Sequence, residues 1–181
     1  MNTFLYLVCQ RQSDRAYDSN RSIEKEKLDR IMEAARMSPS ACNAQPWHFI
    51  VVDEPELKNK IADATSAKAL GMNHFTKQAP VHIVIVEESA NISSMIGGFV
   101  KQKHFPHIDL GIVAAHISLA AADESLGSCM IGWFDEKKVK NLLDIPRSKK
   151  VLLIITLGYS SQETREKKRK SIDEVVSYNR Y

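Results

Sequence analysis

Residues Val151–Leu157, Val-Leu-Leu-Ile-Ile-Thr-Leu, form the stretch that most restricts what this chain can become. A strand with apolar side chains at successive positions has no solvent face, so it must lie inside a sheet covered on both sides. Val81–Val86 is a second run of this kind, rich in β-branched residues and introduced by Ala79-Pro80. His48–Val52 reads as a third strand, and Cys129–Phe134 as a short strand or loop. Amphipathic helices separate these runs. The pattern predicts an α+β or α/β sandwich built on a central sheet.

The helices follow from periodicity and caps. Thr3 or Asn2 caps a short first helix carrying Phe4, Leu5, Leu7 and Val8. Ser22 is placed to cap Ile23–Arg36, in which Leu28, Ile31, Met32 and Ala35 repeat at helical spacing. Asp53 is expected to cap a helix through Ala64, with Pro55 in its first turn. Pro106 fits the start of the longest helix, where Ile108, Ile112, Ala115, Leu119, Ala122 and Leu126 predict the core stripe, and its many alanines suit close packing against a partner subunit. Gly127 is expected to stop that helix. Asp135 caps a further helix with Val139, Leu142 and Leu143 on one side. A charged tail, Ser160–Lys170, precedes a short last segment, Ile172–Val176. Residues 66–78 are ambiguous. Residues 88–104, weakly periodic and containing Gly97-Gly98, form a candidate mobile lid.

Composition excludes several classes. With 181 residues, 44% hydrophobic and 26% charged, the chain suits one soluble domain spanning 1–181. A net charge of +3 is too small to argue for nucleic acid. Cys9, Cys42 and Cys129 make neither a disulfide framework nor a zinc motif, which fits a reducing, cytoplasmic setting. Met1–Val8 lacks the basic flank of a signal peptide, and no membrane span is expected. Dinucleotide-binding, Walker and nucleophile-elbow motifs are absent. The six histidines are scattered, without a tight His/Asp/Glu cluster, so they are read as structural or solvated groups and no metal is expected. Cys42 has no base nearby in sequence and reads as a small buried residue.

Two polar, basic segments remain, Arg11-Gln12-Ser13-Asp14-Arg15 and Lys167-Lys168-Arg169-Lys170. Arginine grips phosphate through paired N–H groups and serine can add a donor, so the two together could hold one phosphate monoester. Each could equally be a solvated helix end or a charged tail. Between the second helix and the third strand lies Ser38-Pro39-Ser40-Ala41-Cys42-Asn43-Ala44-Gln45-Pro46-Trp47, a proline-stiffened loop dense in hydrogen-bonding groups.

Taken in order, these pieces resemble the FMN-dependent nitroreductase family over nearly the whole chain: Arg11–Arg15, the Pro39–Trp47 loop, Ala79-Pro80, Asp109-Leu110-Gly111-Ile112, the Leu126–Gly132 turn, Leu157-Gly158-Tyr159 and Lys167–Arg169. The Pro-Ser-x-x-Asn-x-Gln-Pro-Trp loop is the most diagnostic. The resemblance implies an α+β (α/β/α) sandwich with a central, mostly antiparallel mixed sheet, and an intertwined homodimer with FMN at its interface. It implies that Arg11, Lys167 and Arg169 bind the FMN phosphate with Ser13 assisting, that Gln12 lies on the same strip, and that Arg15 approaches the pyrimidine side of the ring. Pro39, Ser40, Ala41 and Asn43 are expected from the other subunit, with Met130, Ile131 and Gly132 passing near N5 and Asn73 a further ring contact. No catalytic acid or base is implied. Asp109 is expected to be a helix-terminal supporting group, and Trp47 and Phe49 scaffold. The tail, 160–181, is a candidate to cross to the partner. The implied activity is hydride transfer from NADH or NADPH through FMN to a nitroaromatic, quinone or flavin, in ping-pong fashion. Dehalogenation, flavin-consuming biosynthesis and a non-catalytic flavin module are the alternatives.

Overall fold

The computed structural model describes residues 3–66, 71–89 and 104–181. Most of the expected lid, residues 90–103, lies outside the described residues.

Four strands, β1 (Trp47–Val52), β2 (Val81–Glu87), β3 (Gly127–Ile131) and β4 (Lys150–Gly158), form one sheet in the order β1-β2-β4-β3, every neighbour antiparallel. The two continuously apolar runs are the two central strands, as their composition requires. Val84 of β2 pairs with both Ile50 and Ile154, and a bulge interrupts the β2–β4 ladder between Ile85 and Val86. A single parallel bridge, Ser13 to Ser128, adds the Arg11–Arg15 segment beside β3.

Successive strand residues feed two cores. On one face Val81, Ile83, Ile85, Ile155 and Leu157 meet α2 (Lys25–Arg36) and α4 (Phe105–Asp123). On the other, Val84, Val86, Cys129, Ile131 and Ile154 meet α3 (Pro55–Thr65) and α5 (Glu136–Leu142). This is the expected α/β/α sandwich. Trp47 and Phe49 are half-buried scaffold, packed on the first core with ring centroids 6.3 Å apart.

Several local expectations fail for identifiable reasons. Glu24, not Ser22, precedes α2; its carboxylate accepts from the Tyr159 hydroxyl at 2.5 Å instead of capping the helix. Glu54, not Asp53, caps α3 by accepting from the Glu56 and Leu57 N–H groups, because Pro55 fixes the first helical position one residue later. Asp135 caps α5 as expected, accepting from Lys138 N–H. Gly127 does not stop α4, which ends at Asp123, and Ser125 takes the left-handed turn with φ 60°. Gly127 instead opens β3, where a Cβ would lie 2.8 Å from Asp14 Cγ.

The core stripe of α4 also differs. Its buried residues include Leu110, Val113, Ala114, Ile117 and Ala121, whereas Ile108 is 53% exposed, Ala115 is exposed, and Ile112, Leu119 and Ala122 are half-buried. Both sides of α4 are apolar, and the sheet takes the one that periodicity did not select. By length and hydropathy alone α4 is apolar enough to cross a membrane. Its buried stripe against the sheet gives the apolarity a core role. Two terminal helices bury nothing: α1 (Thr3–Gln10) and α6 (Ile172–Val175).

Candidate functional site

The Arg11–Arg15 segment is held through Asp14. Its buried carboxylate accepts from Gln12 Nε2 at 2.9 Å, Ser160 Oγ at 2.6 Å and Ser128 N–H at 3.3 Å. The Asp14 N–H donates to Ser128 O at 2.9 Å. The tail is then laced onto this strip from the far end of the chain. Gln12 Nε2 donates to Glu163 O at 3.1 Å, and Arg165 N–H donates to Gln12 Oε1 at 3.0 Å. Arg15 N–H donates to Gln162 Oε1 at 2.6 Å, Arg165 Nη2 donates to Ser13 O at 2.7 Å, and Lys167 Nζ donates to Cys9 O. Glutamine side chains and main-chain carbonyls thus bring the two basic segments together without a carboxylate neutralising them. Among the described residues, no carboxylate pairs with Arg11, Arg15, Lys167 or Arg169.

Arg169 has no hydrogen bond to the strip among the described residues; its Nη1 donates to the adjacent Lys168 O at 2.8 Å. A cavity of about 740 Å³ lies beside the strip and includes Arg11 and Gln12 in its wall, but Asp14 and Asp18 line it too. Arg21 lines it as well, so two carboxylates offset its two arginines, whereas the surface of the strip, whose cations have no carboxylate partner, suits a phosphate better.

β3 continues the site. Met130 is 40% exposed, Ile131 is buried, and Gly132 leads into Trp133, which is 60% exposed. Asn73, held left-handed at φ 58°, donates to Thr65 O at 3.0 Å and reaches Trp133 O at 3.5 Å, which sets it beside the turn that follows Gly132. Among the described residues, nothing lies within 4 Å of where a Gly132 side chain would begin, leaving room for a flat group to approach. Burial pushes the Cys129 thiol up, and the Arg15 charge opposes the shift.

The Pro39–Asn43 loop is elsewhere. It precedes β1, the edge strand opposite β3, and those two strands lie three spacings, about 14 Å, apart. The buried Asp109 of α4 accepts Ala41 N–H at 3.0 Å, and its other oxygen is buried without a hydrogen-bond partner among the described residues. Asp109 therefore supports the loop, as expected. Ser40 Oγ accepts Gln45 N–H at 2.9 Å. Cys42, Asn43 and Gln45 all adopt left-handed φ, 52°, 51° and 46°, and Cys42 is exposed, not buried. Left-handed backbone at non-glycine residues costs about 1–2 kcal/mol each, so the rest of the loop must over-determine this shape.

Within one chain the Arg11–Arg15 segment, with the tail laced to it, pairs with β3 at Ser128, and Met130, Ile131 and Gly132 follow along that strand toward Asn73, which lies at Trp133. The structure does not bring Pro39, Ser40, Ala41 and Asn43 to them. Sequence reasoning missed Asp14, Gln162 and Arg165, whose roles lie in pairings across some 150 residues.

A three-layer α+β sandwich carrying a strip of unpaired cations along one sheet edge defines a class of anion-binding scaffold. The chain belongs to the nitroreductase family, whose sequence model matches residues 8–159. It is 30% identical over 171 residues to a putative NADH dehydrogenase/NAD(P)H nitroreductase of Archaeoglobus fulgidus, covering 90% of this chain and 88% of the relative. It is 28% identical to an oxygen-insensitive NADPH nitroreductase of Helicobacter pylori, covering 95% and 94%. A solved FMN-dependent nitroreductase from Clostridium difficile R20291 superposes with a TM-score of 0.75 at 29% identity, over 98% of this chain and 99% of that one.

Proposed function

We propose that this chain is an NAD(P)H-dependent FMN oxidoreductase that passes hydride to a nitroaromatic, quinone or flavin acceptor in a ping-pong cycle. The observation that carries the reading is the laced strip, where cations from both ends of the chain converge without carboxylate partners. Arg11, Lys167 and Arg169 hold the phosphate, with Ser13 as a further donor. Gln12 spaces the tail on the strip. Arg15 lies toward the electron-accepting edge of the ring, where a fixed positive charge stabilises developing negative charge. Met130, Ile131 and Gly132, with Asn73 behind the turn, form the wall beside the ring. FMN, when bound, supplies the hydride-accepting chemistry, and the protein binds, orients and tunes it.

Pro39, Ser40, Ala41 and Asn43 complete the site from a second copy of the chain. Their distance from β3 within one chain supports this assignment. So does the exposed apolar surface: Phe4, Leu5 and Tyr6 of α1, Ile108 on the outer side of α4, and Ile172, Val175 and Tyr178 of the tail. The single domain, 1–181, thus functions as a cytoplasmic homodimer, with residues beyond the laced segment meeting the partner and residues 88–104 shaping acceptor choice.

Purified protein supplemented with FMN should be yellow, and anaerobic NADPH or NADH should bleach the flavin band, which an acceptor then restores. Protein that takes up no FMN overturns the cofactor assignment. Retained FMN that neither nicotinamide bleaches overturns the hydride reaction alone.

A further inference from the structure

At the far end of β2 from Val81, Glu87 faces two histidines from the start of α4. His104 Nε2 lies 2.7 Å from Glu87 Oε1, and His107 Nε2 lies 3.4 Å from Glu87 Oε2. The rings meet edge to face with centroids 4.1 Å apart. The ligating atoms of all three residues lie within 4.8 Å of one another. Residues three apart in sequence at a helix start point the same way, so the first turn of α4 presents both imidazoles together.

The Glu87 side chain is only 13% exposed, and its Oε2 is buried without a well-formed hydrogen bond among the described residues. His107 is close enough to that oxygen for an ion pair but is not aligned to donate to it. A buried carboxylate oxygen in that state is costly unless a cation satisfies it.

We propose that Glu87, His104 and His107 form a binding site for a divalent transition-metal ion of the zinc class. Two imidazoles and one carboxylate suit zinc and its neighbours; calcium and magnesium prefer all-oxygen shells. Tetrahedral coordination with bonds of about 2.0–2.1 Å sets ligand atoms about 3.3 Å apart. The His107 to Glu87 separation already matches this value, and the other pairs reach it by small side-chain rotations. Both histidine side chains are half-exposed, which gives an ion access from solvent and leaves a fourth position for water. The Glu87 charge offsets the positive end of the α4 dipole, which would otherwise repel a cation.

The location gives the ion a structural role. Glu87 pairs with Trp47 in the sheet, and the Glu88 N–H donates to Pro46 O at 3.1 Å. His107 is two residues before Asp109, which holds Ala41. An ion bridging β2 to α4 therefore ties together both anchors of the 38–46 loop. The site rests on these three side chains alone and stands whether or not the flavin assignment does.

The test uses full-length, tag-free protein stripped with a chelator. Titration with zinc, followed by calorimetry, should show one ion per chain and a raised unfolding temperature. Cobalt should give the visible absorption of a low-coordinate site. Glu87→Gln, His104→Asn and His107→Asn should each weaken binding by more than about 10-fold, since even residues supporting metal ligands are worth that much. His48→Asn should leave binding unchanged, and circular dichroism on each variant separates lost ligation from lost folding. Absence of saturable one-to-one binding to wild-type protein overturns the proposal. So does wild-type affinity in folded His107→Asn or Glu87→Gln protein.

Discussion

The two sides of α4 differ little in composition and greatly in environment. The inner side, with Val113, Ile117 and Ala121 fully buried, closes one core of the sandwich. The outer side carries Ile108, Ile112, Ala115, Leu119 and Ala122, all exposed or half-buried within one chain. A surface helix of a monomer ordinarily has one apolar stripe, and a helix apolar all round is covered all round. The inner side is covered by the chain's own sheet. The outer side identifies the surface that the proposed second copy must cover. At the C-terminal end of that side Ala122 shares a cavity wall with Arg11, while the N-terminal end of the helix lies near the loop held by Asp109, about 20 Å away along the helix.

This contrast can be broken by mutation. Ile117→Ala, on the inner side, should cost about 2–5 kcal/mol of stability in urea unfolding, because it leaves a cavity whatever the state of association. A loss below about 1 kcal/mol would mean that the inner side is not the better-packed one. Arg11→Ala should weaken FMN binding by about 1.5–3 kcal/mol, measured by fluorescence titration, with the deficit shrinking as salt screens the charge. An unchanged affinity would remove Arg11 from the phosphate site. Ile112→Asp, on the outer side, should weaken self-association by at least about tenfold, roughly 1.4 kcal/mol, in sedimentation equilibrium, and FMN should be lost with it. A dimer of wild-type strength would place the partner on another surface. Arg165→Ala should cost less than about 1 kcal/mol of global stability, since the residue is exposed, yet it should hasten proteolytic cleavage of the tail. Unaltered cleavage would show that lacing to Ser13 does not hold the tail.

The site was legible in unequal parts. Arg11, Ser13 and Lys167 were singled out because phosphate chemistry demands cations and donors, and bonds from the tail to Ser13 O and Cys9 O set the two basic segments side by side. Asn73 was named only as a ring contact, by resemblance; its position beside Trp133, just past Gly132, came from the structure. The anchors were not legible. Asp14 looks like one more polar residue in a charged strip, yet its burial and three acceptor bonds hold the segment in place. The left-handed run at Cys42, Asn43 and Gln45 also had no signal, since cysteine and glutamine seldom adopt that conformation. Gly127 was assigned to the wrong role because a glycine after a helix usually ends it, whereas here it makes room for Asp14.

The histidines show the same division. In sequence they are scattered, and only the packing of the start of α4 against the end of β2 sets His104 and His107 against Glu87. By itself the sequence determined the doubly covered central strands, because an unbroken apolar run has no other stable place. It also determined the basic and proline-stiffened segments, because their chemistry is written in residue type. Only the tertiary structure decided which side of α4 faces the sheet, which residue caps each helix, and which loop lies out of reach of the cations it is proposed to serve. Those outcomes depend on packing between elements distant in sequence, where local preference is nearly balanced and burial against a particular neighbour settles the choice.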